Sequence, residues 1–263
     1  MKALRRLLGL VLALALPFAA ACDIVGGFER ETETEPWSRT YPLAAGGQLE
    51  VSNVNGRIQL TGGETDRVEI RAEKIGKGAT PDAAREMLKR IEIRESVAAD
   101  RVRIETKLNR SGGLNMGNGE VRYTIRVPAG ANVKLETVNG GIEVDNVRGR
   151  TELETTNGGI VARRIAGGLD ASTTNGGVEA ELEALNADGV QMECTNGGLR
   201  LRLPRDARAD VSARITNGGI SVEGIQLETI GEQSRRRLEG RLNGGGARIR
   251  LEGTNGGIRI HGK

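Results

Sequence analysis

Two cysteines, one histidine and a row of evenly spaced glutamates are the side chains here that have the makings of chemistry. Glu136, Glu154 and Glu193 each stand three residues ahead of an asparagine. A glycosidase needs two carboxylates flanking a cleft, and sugar subsites usually bring aromatic platforms. Aromatic residues make up only 2% of the chain, and Ser172 and Arg214 interrupt the row at equivalent places, so it reads as a solvated face. A nucleophilic Cys194 would want a histidine beside it, but the single His261 lies near the C-terminus. Next to Met192, Cys194 reads instead as a small buried hydrophobe. Cys22 follows three alanines and is the candidate for lipidation. The recurring Asn-Gly-Gly triplet is not followed by the strand-to-helix context of a phosphate cradle. It also lacks the aspartate that the calcium-binding β-roll repeat places after its glycines. No catalytic residue, metal or cofactor is therefore expected.

What must be explained is the repetition. Between Leu135 and Gly219 the sequence reads LETVNGGIEV, LETTNGGIVA, ASTTNGGVEA, MECTNGGLRL and ARITNGGISV. The asparagines fall at Asn139, Asn157, Asn175, Asn196 and Asn217, separated by 18, 18, 21 and 21 residues, and a further triplet starts at Asn255. A constant period of this size marks a stacked architecture. Within each copy the alternation is that of a half-buried strand: Leu135, Thr137, Ile142 and Val144 face one way, Glu136, Val138 and Glu143 the other. The later copies repeat the division, with Leu153, Thr155, Ile160 and Ala162, then Ala171, Thr173, Val178 and Ala180, on the inner side. An aliphatic inner set free of aromatics suits a narrow interior.

Asn-Gly is also a strong hairpin signal, so a meander in which each unit pairs with itself is the rival arrangement. The near-constant inner pattern favours a β-solenoid, in which each strand lies on its equivalent one period later. In that arrangement Asn139, Asn157, Asn175, Asn196, Asn217 and Asn255 form a structural ladder at one corner, and the glycines turn the chain. The fold class is thus all-β, a β-solenoid with one short flanking helix.

Residues 1–21 have the form of an export signal, with Lys2, Arg5 and Arg6 ahead of an apolar run from Leu7 to Leu16. Ala20-Ala21-Cys22 resembles the bacterial lipobox, cut in front of a diacylated cysteine, although Ala19 stands where leucine is commonest. Ordinary cleavage after Ala21 is the alternative, and either route exports the protein. Without that segment the chain carries 35 basic and 35 acidic residues, so the net charge of +3 belongs to the signal. With neither a positive field nor stacking aromatics, nucleic acid is excluded as a partner. Residues 22–40, with alternating Glu and Thr, Pro36 and no core pattern, read as an acidic tether. The solenoid domain follows from 41 to 263, with Trp37 and Tyr41 as a cap at its start. Thr80 and Pro81 open a helix over 81–91 whose Ala84, Met87, Leu88 and Ile91 form one stripe. Gln48 to Leu60 is a degenerate copy centred on Asn55.

The set QLEVSNVNGRI, YTIRVPAGANVKLETVNGGIEV, the TNGG series and GRLNGGGARIRLEGTNGGIRI resembles the bacterial adhesin-like domain family of unknown function, over roughly Gly47 to the C-terminus. The resemblance implies a β-solenoid head on an exported or membrane-anchored protein and brings no catalytic residues with it.

Three functional readings follow. The first is a non-enzymatic envelope binding or adhesion module, held to the membrane by lipid on Cys22, with an unknown protein or glycan as partner. The second is a periplasmic or inner-membrane structural or stress-linked accessory protein, suggested by Asp23 directly after Cys22. The third, with least support, is a glycan-active β-helix enzyme. Arg235, Arg236, Arg237 and Arg241 offer a contact for an anionic surface, against the plainer reading that they solvate the last strands.

Overall fold

The structure, a computed structural model, describes residues 30–109, 118–230 and 233–263. One repeat shows how the stack is made. In Thr151–Asn157 and Ile160–Ile165 the residues Thr151, Leu153, Thr155, Ile160 and Ala162 are buried, while Glu154 and Thr156 face solvent. Each arm pairs in parallel with the same arm of its neighbours. Leu135, Leu153, Ala171 and Met192 lie in register on one side, and Ile142, Ile160, Val178 and Leu199 on the other. The ladder continues through the corner, where Gly140 N–H donates to Asn157 O at 2.9 Å and Gly158 N–H to Asn175 O at 2.8 Å. These units do not close on themselves, so Asn-Gly is a solenoid corner here and not a hairpin turn. Both arms bury their alternate side chains in one continuous aliphatic core, and that requires the chain to turn between them without reversing into self-pairing.

The order of rungs departs from chain order at both ends. Named by their corner asparagines, they run Asn118, Asn55, Asn139, Asn157, Asn175, Asn196, Asn255, Asn217. The expectation that every strand lies on the copy one period later therefore fails at Asn196. Its neighbour is the C-terminal strand Ala247–Gly262, and Ala209–Glu223 takes the outer place. Side-chain burial accounts for the exchange. Ile249, Leu251, Ile258 and Ile260 of the C-terminal strand need cover on both sides and have it. The outer rung is covered along Ala209–Arg214 by the antiparallel strand Arg237–Leu242, whose Leu238 and Leu242 are buried, while Ile220 and Val222 are only half-buried.

At the other end the sheet extends by antiparallel strands. Ile91–Val97 pairs with Arg101–Leu108, and Arg67–Gly78 with Asn118–Pro128. The acidic-tether reading of 22–40 is corrected over 31–40, while 22–29 lie outside the described residues. Glu31–Pro42 is an edge strand paired residue for residue with Arg67–Gly78. Its Glu-Thr alternation supplies the strand period, and Pro36 is tolerated because an edge strand has a side on which no donor is needed. Trp37 and Tyr41 lie half-buried on this strand against the core. Tyr41 donates to Glu95, Arg39 donates to the same carboxylate at 3.1 Å, and the Arg39 guanidinium sits 5.1 Å from the Trp37 ring centre. The helix spans Pro81–Lys89, with Thr80 Oγ1 accepting from Ala83 N–H at 3.2 Å, and Ile91 already belongs to the next strand. Ala84 packs its backbone onto Gly76 and Gly78, which leave space for it.

The two glycines of each triplet do different work. A Cβ on the first would run into the carbonyl oxygen of the first glycine one rung back, as Gly197 meets Gly176, and Gly197 also holds φ +152°. A Cβ on the second meets nothing closer than an ordinary or slightly tight contact: 3.5 Å at Gly159, 3.4 Å at Gly198. Gly197→Ala is accordingly expected to cost about 3 kcal/mol or more. Gly198→Ala should lie within about 1 kcal/mol of the parent, with the gain from a stiffer unfolded chain on its side. Urea denaturation of the two variants checks this contrast.

Candidate functional site

The corner carries the most regular chemistry on the molecule. Asn139 donates its side-chain amide to Asn55 Oδ1 at 2.8 Å. Asn157 to Asn139, Asn175 to Asn157, Asn196 to Asn175, Asn255 to Asn196 and Asn217 to Asn255 follow, each at 2.9 Å. Asn55 in turn donates to Asn118 Oδ1 at 3.3 Å. Every bond points the same way along the stack; Asn55 spends its second N–H on Gly119 O at 2.9 Å, and each amide from Asn139 to Asn217 has a second N–H left for solvent or a ligand. Just inside, a second column locks the turn. Thr155 Oγ1 donates to Gly140 O and Thr173 Oγ1 to Gly158 O, both at 2.9 Å, and Cys194 Sγ repeats the contact to Gly176 O at 2.9 Å.

Beside the ladder, the second glycines form the floor of an open groove of about 360 Å³ running along the stack over Gly159, Gly177, Gly198 and Gly257. Val161, Glu179, Arg200 and Arg259 make its outer wall, one side chain per rung in register. On the other arm a smaller depression of about 200 Å³ lies among Glu136, Glu152, Glu154, Asp170 and Glu193. Burial, and then the neighbouring Glu152 and Glu193, push the Asp170 carboxyl above its ordinary value, while Arg150 acts against them. Among the described residues no group of three or more His, Cys, Asp or Glu side chains is placed to hold a metal ion.

The family profile described as Toastrack DUF4097 matches residues 42–261. The chain belongs to the Toastrack DUF4097 family. No curated protein matches it. Among solved structures, it is similar to a candidate cell adhesion protein from Clostridium sporogenes (15% identity, TM-score 0.47, 87% of this chain and 100% of that one). It is also similar to a candidate adhesin from Bacteroides fragilis (10%, 0.38, 87% and 97%) and to a candidate lipid binding protein from Parabacteroides distasonis (11%, 0.25, 87% and 97%).

In this Toastrack stack the residues singled out by sequence fare differently. The six triplet asparagines share one column, joined by Asn55 and Asn118, whose lone Asn-Gly dipeptides were the available signal for them. The Thr and Cys two places before Asn157, Asn175 and Asn196 read as members of the inner set, and their bond to the glycine carbonyl became visible only with the rungs stacked. Arg235 and Arg236 are exposed at a turn, where their carbonyls accept from Ile220 and Ile215 N–H. Arg237 pairs with Glu239 at 2.8 Å and Arg241 with Asp210 at 3.3 Å, so only part of the basic cluster is left for an anionic surface. Glu136, Glu154 and Glu193 line one row of the acidic depression, with Ser172 between Glu154 and Glu193. Cys194 is buried and free, and its burial pushes the thiol above its ordinary value. Cys22 lies outside the described residues.

Two expectations follow for this site. Cys194→Thr should fold like the parent, since threonine makes the same bond in the rungs below, whereas Thr155→Val should lose about 1 kcal/mol with its hydroxyl. Calorimetric melting of the two variants tests this, and the parent thiol should react with a disulfide reagent only in denaturant. Asp170→Asn should raise the urea midpoint at pH 7. A carboxyl whose folded value lies above its unfolded one weakens folding at neutral pH, so the advantage should shrink as pH falls through the carboxylate range.

Proposed function

We propose that this Toastrack protein is an exported, non-enzymatic binding or adhesion module of the cell envelope, held to a membrane by lipid on Cys22. The observation that carries the reading is the regular outer surface of the stack. It presents an asparagine at the same corner of successive rungs, about 4.8 Å apart, with the outer residues of each arm in register beside it, which suits contact with an extended partner. The position of the first strand adds a constraint. It begins at Glu31, so only residues 23–30 separate Cys22 from the sheet, and even fully extended they reach about 30 Å. A lipidated head therefore sits close to the bilayer. Asp23 after Cys22 supports the second reading, a module working at the periplasmic face of the inner membrane. No described helix is long and apolar enough to cross a membrane.

Cell fractionation combined with protease shaving separates these readings. The parent is expected in the membrane fraction and Cys22→Ala in the soluble one. Loss of the head from intact cells supports adhesion, while protection until lysis moves the search to periplasmic partners. A parent that stays soluble after export would overturn the anchor.

A further inference from the structure

The groove beside the asparagine ladder rests on two features that the fold itself does not require. The first is its floor. The second glycine of each triplet has ordinary backbone geometry at Gly159, Gly177, Gly198 and Gly257, and a Cβ would find room at Gly159, Gly198 and Gly257 and a tight fit, 3.1 Å from Gly198 O, at Gly177. The chain itself demonstrates the tolerance. In the Asn55 rung the equivalent residue is Arg57, which lies in register with the corner and reaches Glu143 at 3.6 Å. Arg57 also blocks the column at that end. The rungs from Asn139 onward nevertheless keep glycine at every copy, and the result is an open trough.

The second feature is electrostatic. Arg200 and Arg259 are direct partners on adjacent strands at the trough's wall. Like charges directly opposite one another on a sheet oppose folding. Arg200 is shared with Glu179 at 3.2 Å, and Arg202 takes the same carboxylate at 3.2 Å. Arg259 is exposed and has no ion-pair partner among the described residues. Rules of local consistency tend to be broken where a protein binds something. Here two breaches fall on the same trough.

We propose that this trough binds an extended acidic glycan carrying one carboxylate per sugar, laid along the stack axis. Its backbone would rest on the glycine floor and Val161, its hydroxyls would meet the second N–H of Asn157, Asn175, Asn196 and Asn255, and its carboxylates would meet Arg200 and Arg259. Guanidinium and carboxylate match in a two-bond fork, and the two arginines stand one rung apart, about 4.8 Å, close to the advance per sugar of an extended chain. A peptide strand is disfavoured because the backbone groups at the floor are already bonded from rung to rung, as Ile160 N–H to Gly177 O and Val178 N–H to Gly198 O. The proposal deepens the reading of the chain as an envelope binding module and rests on it.

The test is titration calorimetry of the purified full chain with a hexamer of galacturonic acid, the neutral galactose hexamer of the same linkage, and poly-glutamate of matched charge. The same proteins are also sedimented with envelope fragments. Expected are binding of the acidic hexamer alone, a loss of at least tenfold in Gly159→Thr/Gly198→Thr and about fivefold or more in Arg259→Ser, and no change in Arg248→Ser, an exposed arginine on the other arm of the same strand. Melting curves confirm that each variant is folded. Equal binding of the neutral hexamer or of poly-glutamate, or indifference to the filled trough, overturns the proposal. If envelope binding persists with the trough filled, the module reading stands and the glycan site falls. If the parent binds neither, both fall.

Discussion

At each corner of the stack the first glycine of the triplet lies so close to the glycine carbonyl one rung back that no side chain fits between them. The rest of the molecule depends on that approach. It sets the spacing and register of successive turns, and register in turn decides which alternate residues enter the core. With rungs aligned to the residue, asparagine comes to lie over asparagine and can bond along the axis. Thr155, Thr173 and Cys194 come within reach of the carbonyl that the close approach presents. A slip of one residue would send the inner set outward and break both columns together.

The ion pairs on the outer faces have a different role. Lys134 with Glu136, Arg150 with Glu152, and Arg200 with Glu179 are all substantially exposed. Pairs of this kind add little to stability in water. Their arrangement instead gives the two arms different characters. One carries the acidic depression around Asp170, the other the glycine trough with arginines at its far end. The narrow core permits this division, because each arm exposes half its residues whatever their charge.

Both ends of the stack are finished with antiparallel strands, a sound device for a parallel array whose edges would otherwise pair with other chains. The finish is complete at the first end, where Arg67–Gly78 and Glu31–Pro42 extend the sheet and Tyr41, Arg39 and Glu95 tie it together. At the last it covers one arm only, since Arg237–Leu242 reaches Ala209–Arg214 and leaves Ile220 and Val222 partly open.

Much of this was written in the sequence because the determinants are local. The period-two burial, the triplet corner, the Thr80 cap of the helix and the all-β class each follow from residues within a few places of one another. Membership of the rungs at Asn139 through Asn196 follows too, since the near-constant inner pattern, recurring after 18, 18 and 21 residues, lets equivalent strands face each other. The order of the last rungs did not follow. Placing Asn255 between Asn196 and Asn217 depends on which aliphatic rows find cover on both sides, a long-range balance that spacing does not encode. Nor did the strand at Glu31–Pro42, whose polar alternation looks like a linker until Arg67–Gly78 offers it an edge. The trough is likewise a tertiary fact. A glycine in a triplet looks like any turn residue, and only the stacked rungs separate the one that the backbone demands from the one that leaves a floor open.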